Sequence, residues 1–241
     1  MAVHATPIPI LKDNYAWLLQ DGDAGALALV DPAEAEPLIA AIEARGGRLD
    51  LILLTHHHAD HVAATEPLRA RYGCPVAGAR FDAPRLPKLD IALDEGETVA
   101  LGAARGRVIA TPGHTRGHIA WFFADGAVLA CGDTLFSLGC GRLFEGTAED
   151  MFASLAKLKA LPDETLVCCG HEYTLSNARF ARAVDPANPA LLDRINEIER
   201  LRAAGLPTVP TTLAQERATN PFLRAADAKA LGALRARKDN F

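Results

Sequence analysis

An apolar run over residues 51–54, a threonine, and then His56-His57-His58-Ala59-Asp60-His61 form the stretch that most narrows what this chain can fold into. A packed core gains nothing from four imidazoles and a carboxylate crowded into six positions, since each buried polar ring must find a partner. If 51–54 is a buried strand, His56 and His58 leave its C-terminal end on one side, while Asp60 and His61 open the following turn and helix. Four ligand-type side chains then converge without long-range help. The pattern His-x-His-x-Asp-His is a nitrogen and oxygen set that suits zinc, iron or manganese. The competing reading is a solvated histidine-rich loop that takes up metal incidentally.

Three later strand ends weigh against that alternative. IATPGHTRGH puts His114 in a glycine-rich turn after a strand ending near Thr111, VLACGDTLF puts Asp133 just past another strand, and LVCCGHEY does the same for His171. In layered α/β folds the loops at one end of a sheet are where sites assemble, so these residues can meet the first cluster in space. Five of the eight histidines occupy such positions; His4, His57 and His118 are left to surface or supporting roles.

Short apolar or alternating runs closed by Gly, Pro, Asp or Asn predict strands at 15–20, 27–31, 51–54, 76–78, 107–111, 119–123, 128–131 and 165–169. Helical spacing predicts helices at 37–45 and 150–159, and a sheet with helices outside it is the natural layering. After His171 the texture changes: Asn188-Pro189 opens a helix that runs to Gly205, and no strand-like alternation follows. The expected division is therefore a mixed domain over 1–172 and a helical unit over 173–241. With 49% apolar residues there is ample core, while a net charge of -5 disfavours a nucleic-acid partner. No run of about 18 apolar residues and no secretory start are present, so the expectation is a cytoplasmic protein with no membrane contact. Five cysteines, two of them adjacent, read as reduced, buried thiols. The glycine-rich stretch 139–146 lacks both GxGxxG spacing and a P-loop ending, so it is not read as a nucleotide site.

THHHADH, TPGHTRGH, CGDTLF and CGHEY resemble, in order, the metal-binding motifs of the metallo-β-lactamase superfamily. Within it the chain is most similar to the hydroxyacylglutathione hydrolase (glyoxalase II) family, through DNYAWLL, GCGRLFEGTAEDMFASL, HEYTLSNARFA, NPFLR and the terminal RARKDNF. The resemblance implies an αββα sandwich followed by a small all-helical, glutathione-binding C-terminal domain. It implies two divalent metal ions, zinc foremost with iron or manganese as options, since seven ligands exceed one tetrahedral zinc. His56, His58 and His114 would hold one ion, Asp60, His61 and His171 the other, and Asp133 would bridge them. Asp60 and Asp133 would be catalytic together with a metal-bridging hydroxide. Five neutral imidazoles and two carboxylates leave surplus positive charge that favours such a nucleophile.

By the same resemblance Arg142, Phe144, Tyr173, Arg235 and Lys238 would bind the glutathione moiety. Arg235 and Lys238 share a helix face. Phe144 stands where many relatives carry Tyr, and Arg142 where many carry Lys, so a hydroxyl is lost and a cation kept. The implied reaction is hydrolysis of S-(2-hydroxyacyl)glutathione, such as S-D-lactoylglutathione, to glutathione and D-lactate, the second step of methylglyoxal detoxification, by a monomer acting on a small-molecule thioester. No GxSxG elbow offers a protein nucleophile. The alternative is a mononuclear-iron persulfide dioxygenase of the same superfamily, against which the GCGRLFEGT loop and the basic C-terminal helix stand.

Overall fold

The computed structural model describes residues 2–22 and 25–241. Alternation along the chain decides its layering. Tyr15, Trp17 and Leu19 enter one buried cluster and Ala16 and Leu18 another; Leu51 and Leu53 are divided from Ile52 and Leu54 in the same way. A strand buried on both faces needs a layer on each side.

The first sheet has the order β1 (Val3–Ile10), β2 (Asn14–Asp21), β3 (Leu27–Val30), β4 (Leu51–Leu53), β5 (Val76–Ala79), β6 (Ile91–Leu93), antiparallel from β1 to β3 and parallel from β3 to β6. Helices α1 (Ala35–Glu43), α2 (Ala59–Val62) and α3 (Thr65–Tyr72) lie between its strands, and Leu38, Ile42 and Leu68 cover its outer face. The second sheet contains β7 (Thr98–Leu101), β8 (Ala104–Ala110), β9 (Ile119–Phe123) and β10 (Val128–Gly132); a hairpin of β11 (Leu135–Phe136) and β12 (Gly139–Cys140) follows. Helix α4 (Ala148–Lys159), started by a Thr147–Asp150 capping box, leads to β13 (Leu166–Cys169), which pairs parallel to β10. The two sheets face each other across the main core, giving the αββα sandwich that the motifs implied.

The predicted strands and helices are all present, but others had no clear signal. β1 carries Pro7 and Pro9, which argue against a central strand; it sits at the sheet edge, where a missing N–H is tolerated. Helix α3 turns only Thr65 and Leu68 inward, too few to mark a period. All five cysteines are free and buried. Among the described residues no helix is long and apolar enough to cross a membrane.

Downstream of His171 come α5 (Thr174–Val184), α6 (Pro189–Ala203), α7 (Leu213–Thr219) and α8 (Ala228–Asp239). One correction concerns the expectation that no strand follows His171: β14 (Thr211–Thr212) pairs antiparallel with β13 and forms the edge of the second sheet. Two residues are too short for a period to show. Leu191, Ile195 and Ile198 of α6 pack on Ala178 and Ala181 of α5, while Phe180, Phe222, Leu223 and Leu231 join the main core with Met151 and Leu155.

Asn220, fully buried, ties the helical segment to the hairpin. Its Nδ2 donates to the carbonyls of Phe136 (3.1 Å) and Gly139 (3.0 Å) and to Glu216 Oε2 (2.9 Å), and its Oδ1 accepts from Phe222 N (3.0 Å). Replacing Asn220 by Ala strands several buried groups and is expected to cost about 3 kcal/mol of unfolding free energy. Asp at 220 keeps the shape but loses the donors and should be comparably damaging. Urea denaturation measures both, and an unchanged midpoint for Asn220→Ala would contradict this role.

Candidate metal centre

Every ligand-type residue singled out in the sequence lies at one end of the two sheets. His56 Nε2 lies 3.1 Å from His58 Nδ1, which is 3.1 Å from His114 Nε2. A second group consists of Asp60, His61 and His171, and the candidate donor atoms within each group lie within 4.8 Å of one another. Asp133 reaches both groups: its oxygens are 3.4 Å from His61 Nε2, 3.3 Å from His171 Nε2 and 3.5 Å from His114 Nε2.

Which ring nitrogen carries the proton follows from the partners behind each ring. Thr55 Oγ1 donates to Asp31 Oδ2 at 2.6 Å, so it accepts from His56 Nδ1 at 3.0 Å. His61 Nδ1 donates to Asp31 Oδ2 at 3.0 Å, His114 Nδ1 to the Arg142 carbonyl at 2.9 Å, and His171 Nδ1 to Asp13 Oδ1 at 3.1 Å. With those protons pointing out, four Nε2 lone pairs point in. His118 supports the backbone instead: its Nε2 accepts from Asp133 N at 3.1 Å, and its Nδ1 contacts the Thr111 hydroxyl at 2.8 Å.

Close approach needs two glycines. Gly132 has φ +47°, and a Cβ there would collide with Thr55 and with His118. A Cβ on Gly170 would lie 2.5 Å from Asp133 Oδ1 and 2.7 Å from the His61 ring. Asp31 itself sits at φ +52°, a left-handed conformation costing about 1 kcal/mol that short polar residues tolerate best.

Burial, reinforced by His61 and its other imidazole neighbours, keeps His56 neutral well below the usual histidine range; burial does the same for His118. Burial also opposes a charge on His61, but Asp133, Asp31 and Asp60 outweigh it and lift the ring to about 9, so without a cation Nε2 takes up a second proton, which a bound metal ion would displace to use the same lone pair. His171 is raised despite burial by Asp133 and Asp13. Burial would push Asp133 up, yet His61, His171 and His114 hold it below the carboxylate range. Two buried atoms that face the cage, His61 Nε2 and Asp133 Oδ1, lie 3.4 Å apart, and neither makes a well-directed hydrogen bond. Inward lone pairs, acceptor-only carboxylates and poorly paired buried atoms together ask for cations, and the donor set fits divalent metal ions.

A cleft of about 700 Å³ opens from this cage and is lined by His58, Asp60, His114, Asp133 and His171 at one end and by Arg142, Arg235 and Lys238 at the other. Phe144 lays its exposed ring edgewise against His114 (5.2 Å) and His58 (5.8 Å), and Tyr173 stacks on His171 at 4.5 Å. Arg142 is exposed and 3.5 Å from Asp239. Arg235 is different from an open cation: it is buried, donates to the Cys140 carbonyl at 2.7 Å and pairs with Asp239 at 2.9 Å. Lys238 Nζ donates to Ser176 O and Oγ at 3.1 Å and lies over the Phe180 and Phe241 rings; burial, then Arg235 and Arg142, push it down to about 8.

Several residues in this centre escaped the sequence reading. Asp13 and Asn14 hold His171 and Asp60, Asn14 Nδ2 donating to Asp60 Oδ2 at 3.1 Å, and Asp31 and Thr55 hold His61 and His56. DNYAWLL, VDP and the start of THHHADH carry them, but a carboxylate or hydroxyl beside a strand looks like any loop residue until its partner is seen. Arg142 was read for its guanidinium, whereas its carbonyl also anchors His114.

A family profile for the metallo-beta-lactamase superfamily matches residues 11–171, and one for the hydroxyacylglutathione hydrolase C-terminus matches residues 172–241. The chain is 61% identical to a hydroxyacylglutathione hydrolase of Acidiphilium cryptum, covering 98% of this chain and 96% of that one. It is 51% identical to a hydroxyacylglutathione hydrolase of Cereibacter sphaeroides over the whole of both chains. Among solved structures it resembles ETHE1 from Myxococcus xanthus (25% identical, TM-score 0.71, covering 98% of this chain and 90% of that one) and TTHA1623 in a di-iron-bound form (29%, TM-score 0.64, 91% and 99%).

Asp31→Asn removes the charge behind His61 and Thr55 without touching the cage atoms. It is expected to weaken metal binding about 10- to 100-fold, read by competition with a chelator. Unchanged affinity would mean that the outer hydrogen bonds do not set the cage.

Proposed function

The chain belongs to the hydroxyacylglutathione hydrolase family of the metallo-β-lactamase superfamily, and from that premise we propose that it cleaves the thioester of S-(2-hydroxyacyl)glutathiones, S-D-lactoylglutathione among them, to glutathione and the 2-hydroxy acid. The observation that carries this reading is the single cleft that joins the cage at one end to cations of the helical segment at the other. Glutathione has two carboxylates, and a thioester at its cysteine must reach past them to a reacting centre.

His56, His58 and His114 would hold one divalent ion and Asp60, His61 and His171 a second, with Asp133 shared between them. Zinc is favoured, and iron or manganese suits the same donors. Ions bound there supply Lewis acidity and a water acidic enough to attack near neutral pH. The chain supplies the rest. Asp60, with its side chain partly open to the cleft and anchored by Asn14, is a carboxylate at neutral pH that accepts a proton from and orients the attacking water through Oδ2. The leaving thiol, with a pKa of about 8.5, departs as thiolate without a dedicated acid. Arg142 and Lys238 draw in the carboxylates of glutathione, while Phe144 and Tyr173 wall the path of the peptide. Arg235, which also lines the cleft, uses three of its N–H groups to position Asp239 and the β12 backbone and has others left for a glutathione carboxylate. The helical segment over 173–241 thus acts as the glutathione-binding part and 1–172 as the catalytic part.

Turnover of S-D-lactoylglutathione, lost on chelation and regained with divalent metal, is the direct test; oxygen uptake with glutathione persulfide in place of thioester cleavage would overturn it. Lys238→Met should raise KM about tenfold and leave kcat within about twofold, because the cation binds a part of the substrate that does not react. Lys238 is charged below its pKa of about 8 and loses its charge as pH rises through that value. The KM should therefore climb above pH 8, and Lys238→Arg should flatten the climb. A KM independent of pH in both proteins would remove Lys238 from substrate binding.

A further inference from the structure

Glu145 follows Phe144 in the loop over residues 142–146, on the far side of that loop from the cleft, and faces a separate surface groove with Phe81, Asp82, Pro84, Arg85 and Arg116. It does not line the substrate cleft. Its carboxylate accepts from Arg85 Nη1 at 2.5 Å and Nη2 at 3.2 Å, a two-pronged pairing, and from the backbone N–H of Arg116 at 2.8 Å. Arg116 Nε returns a bond to the Glu145 carbonyl at 3.3 Å. Arg85 in turn donates through Nε to the buried Asp82 at 2.6 Å, and the other Asp82 oxygen accepts from His57 Nδ1 at 3.0 Å. His57 Nε2 lies 3.7 Å from Glu145, closing the ring of contacts.

The segments joined in this way all serve the cage. His57 stands between His56 and His58, and Arg116 lies two residues after His114. The 142–146 loop presents Arg142 and Phe144 to the cleft and the Arg142 carbonyl to His114. Two backbone bonds seat the loop on the His114 turn, Phe144 N to the His114 carbonyl at 3.3 Å and Gly146 N to the Gly113 carbonyl at 3.0 Å. The first is long, and with the His114 ring bond to the Arg142 carbonyl at 2.9 Å these bonds tie the loop to the 113–114 turn alone, so its position relative to the other segments needs a further anchor. A Cβ on Gly117 would collide with the Asp82 carboxylate, so the turn is packed directly against the network.

We propose that Glu145 is a positioning residue: with Arg85 it clamps the 142–146 loop to the His57 and Arg116 segments, so that Arg142 and Phe144 are preset for the glutathione thioester. The part concerning substrate rests on the function proposed above; the clamp itself does not. Arg85, followed by Arg116 and His57, holds the Glu145 carboxyl down to about 2, so the pair is charged across the whole range in which the enzyme would work. Preset contacts lower the ordering cost of binding without touching the reacting bond, so the effect belongs in KM.

Glu145→Gln keeps the size and one acceptor but loses the charged two-pronged pairing, and Glu145→Asp keeps the charge on a shorter arm. In metal-loaded enzyme, Glu145→Gln is expected to speed amide hydrogen exchange in peptides covering 142–147 about tenfold, with the strands of both sheets unchanged. It should raise KM for S-D-lactoylglutathione about fivefold with kcat within about twofold and with metal content equal to wild type. Glu145→Asp should recover part of both effects, and Arg85→Met combined with Glu145→Gln should be no worse than either alone. Unchanged exchange at 142–147 would overturn the clamp, and so would a uniform rise across the protein with a falling Tm, which marks general destabilisation. Wild-type enzyme that fails to cleave the thioester would refute the proposed substrate, and the exchange data would still decide the clamp.

Discussion

A neutral imidazole has one proton to give, and four of the five cage histidines give it to a partner outside the cage. Asp31 through Thr55, Asp31 directly, the Arg142 carbonyl and Asp13 accept those protons from His56, His61, His114 and His171. Everything else in the centre depends on that outward donation, because it turns Nε2 atoms inward at 3.1–3.5 Å from one another and from Asp133, with too few protons to pair them all. Such a cage is unstable alone and complete with cations.

The fold exists to hold these anchors still. Asp31 follows β3, Thr55 and His56 follow β4, His114 follows β8, Asp133 follows β10 and His171 follows β13, so each side chain hangs from a strand whose neighbours fix its height and direction. Double burial of the first sheet, with Tyr15, Trp17 and Leu19 on one face and Ala16 and Leu18 on the other, removes the slack that a one-residue slip of register would need. The helical segment then closes the open side of the cleft. Through β14, Asn220 and the shared core it is joined to the sandwich firmly enough that its cations face the cage at a set distance.

The strands ending in ligands were legible because each motif couples a short apolar run to a His or Asp, and three of the four add a glycine beside it, a pairing with few other physical explanations. Gly132 and Gly170 belong to that signal, since only a residue without Cβ lets β10 and β13 bring their ligands so close. β1, α3 and β14 were not legible: two prolines, a weakly buried face and a length of two residues each erase the period on which such reading depends. The outer anchors stayed hidden for a different reason. Asp13, Asp31 and Asp82 gain meaning from a partner 25 to 158 positions away, and sequence spacing carries no trace of that pairing. The division of labour among cations was likewise closed to spacing: Arg235 and Lys238 share a face and both line the cleft, yet Arg235 is buried and also holds Cys140 and Asp239, while Lys238 has a single tether at Ser176.

Anomalous diffraction from a crystal soaked in a divalent metal tests the cage most directly. Two peaks are expected, one among His56, His58 and His114 and one among Asp60, His61 and His171, with Asp133 touching both. A single peak outside these side chains, or none at full soak, would contradict the account.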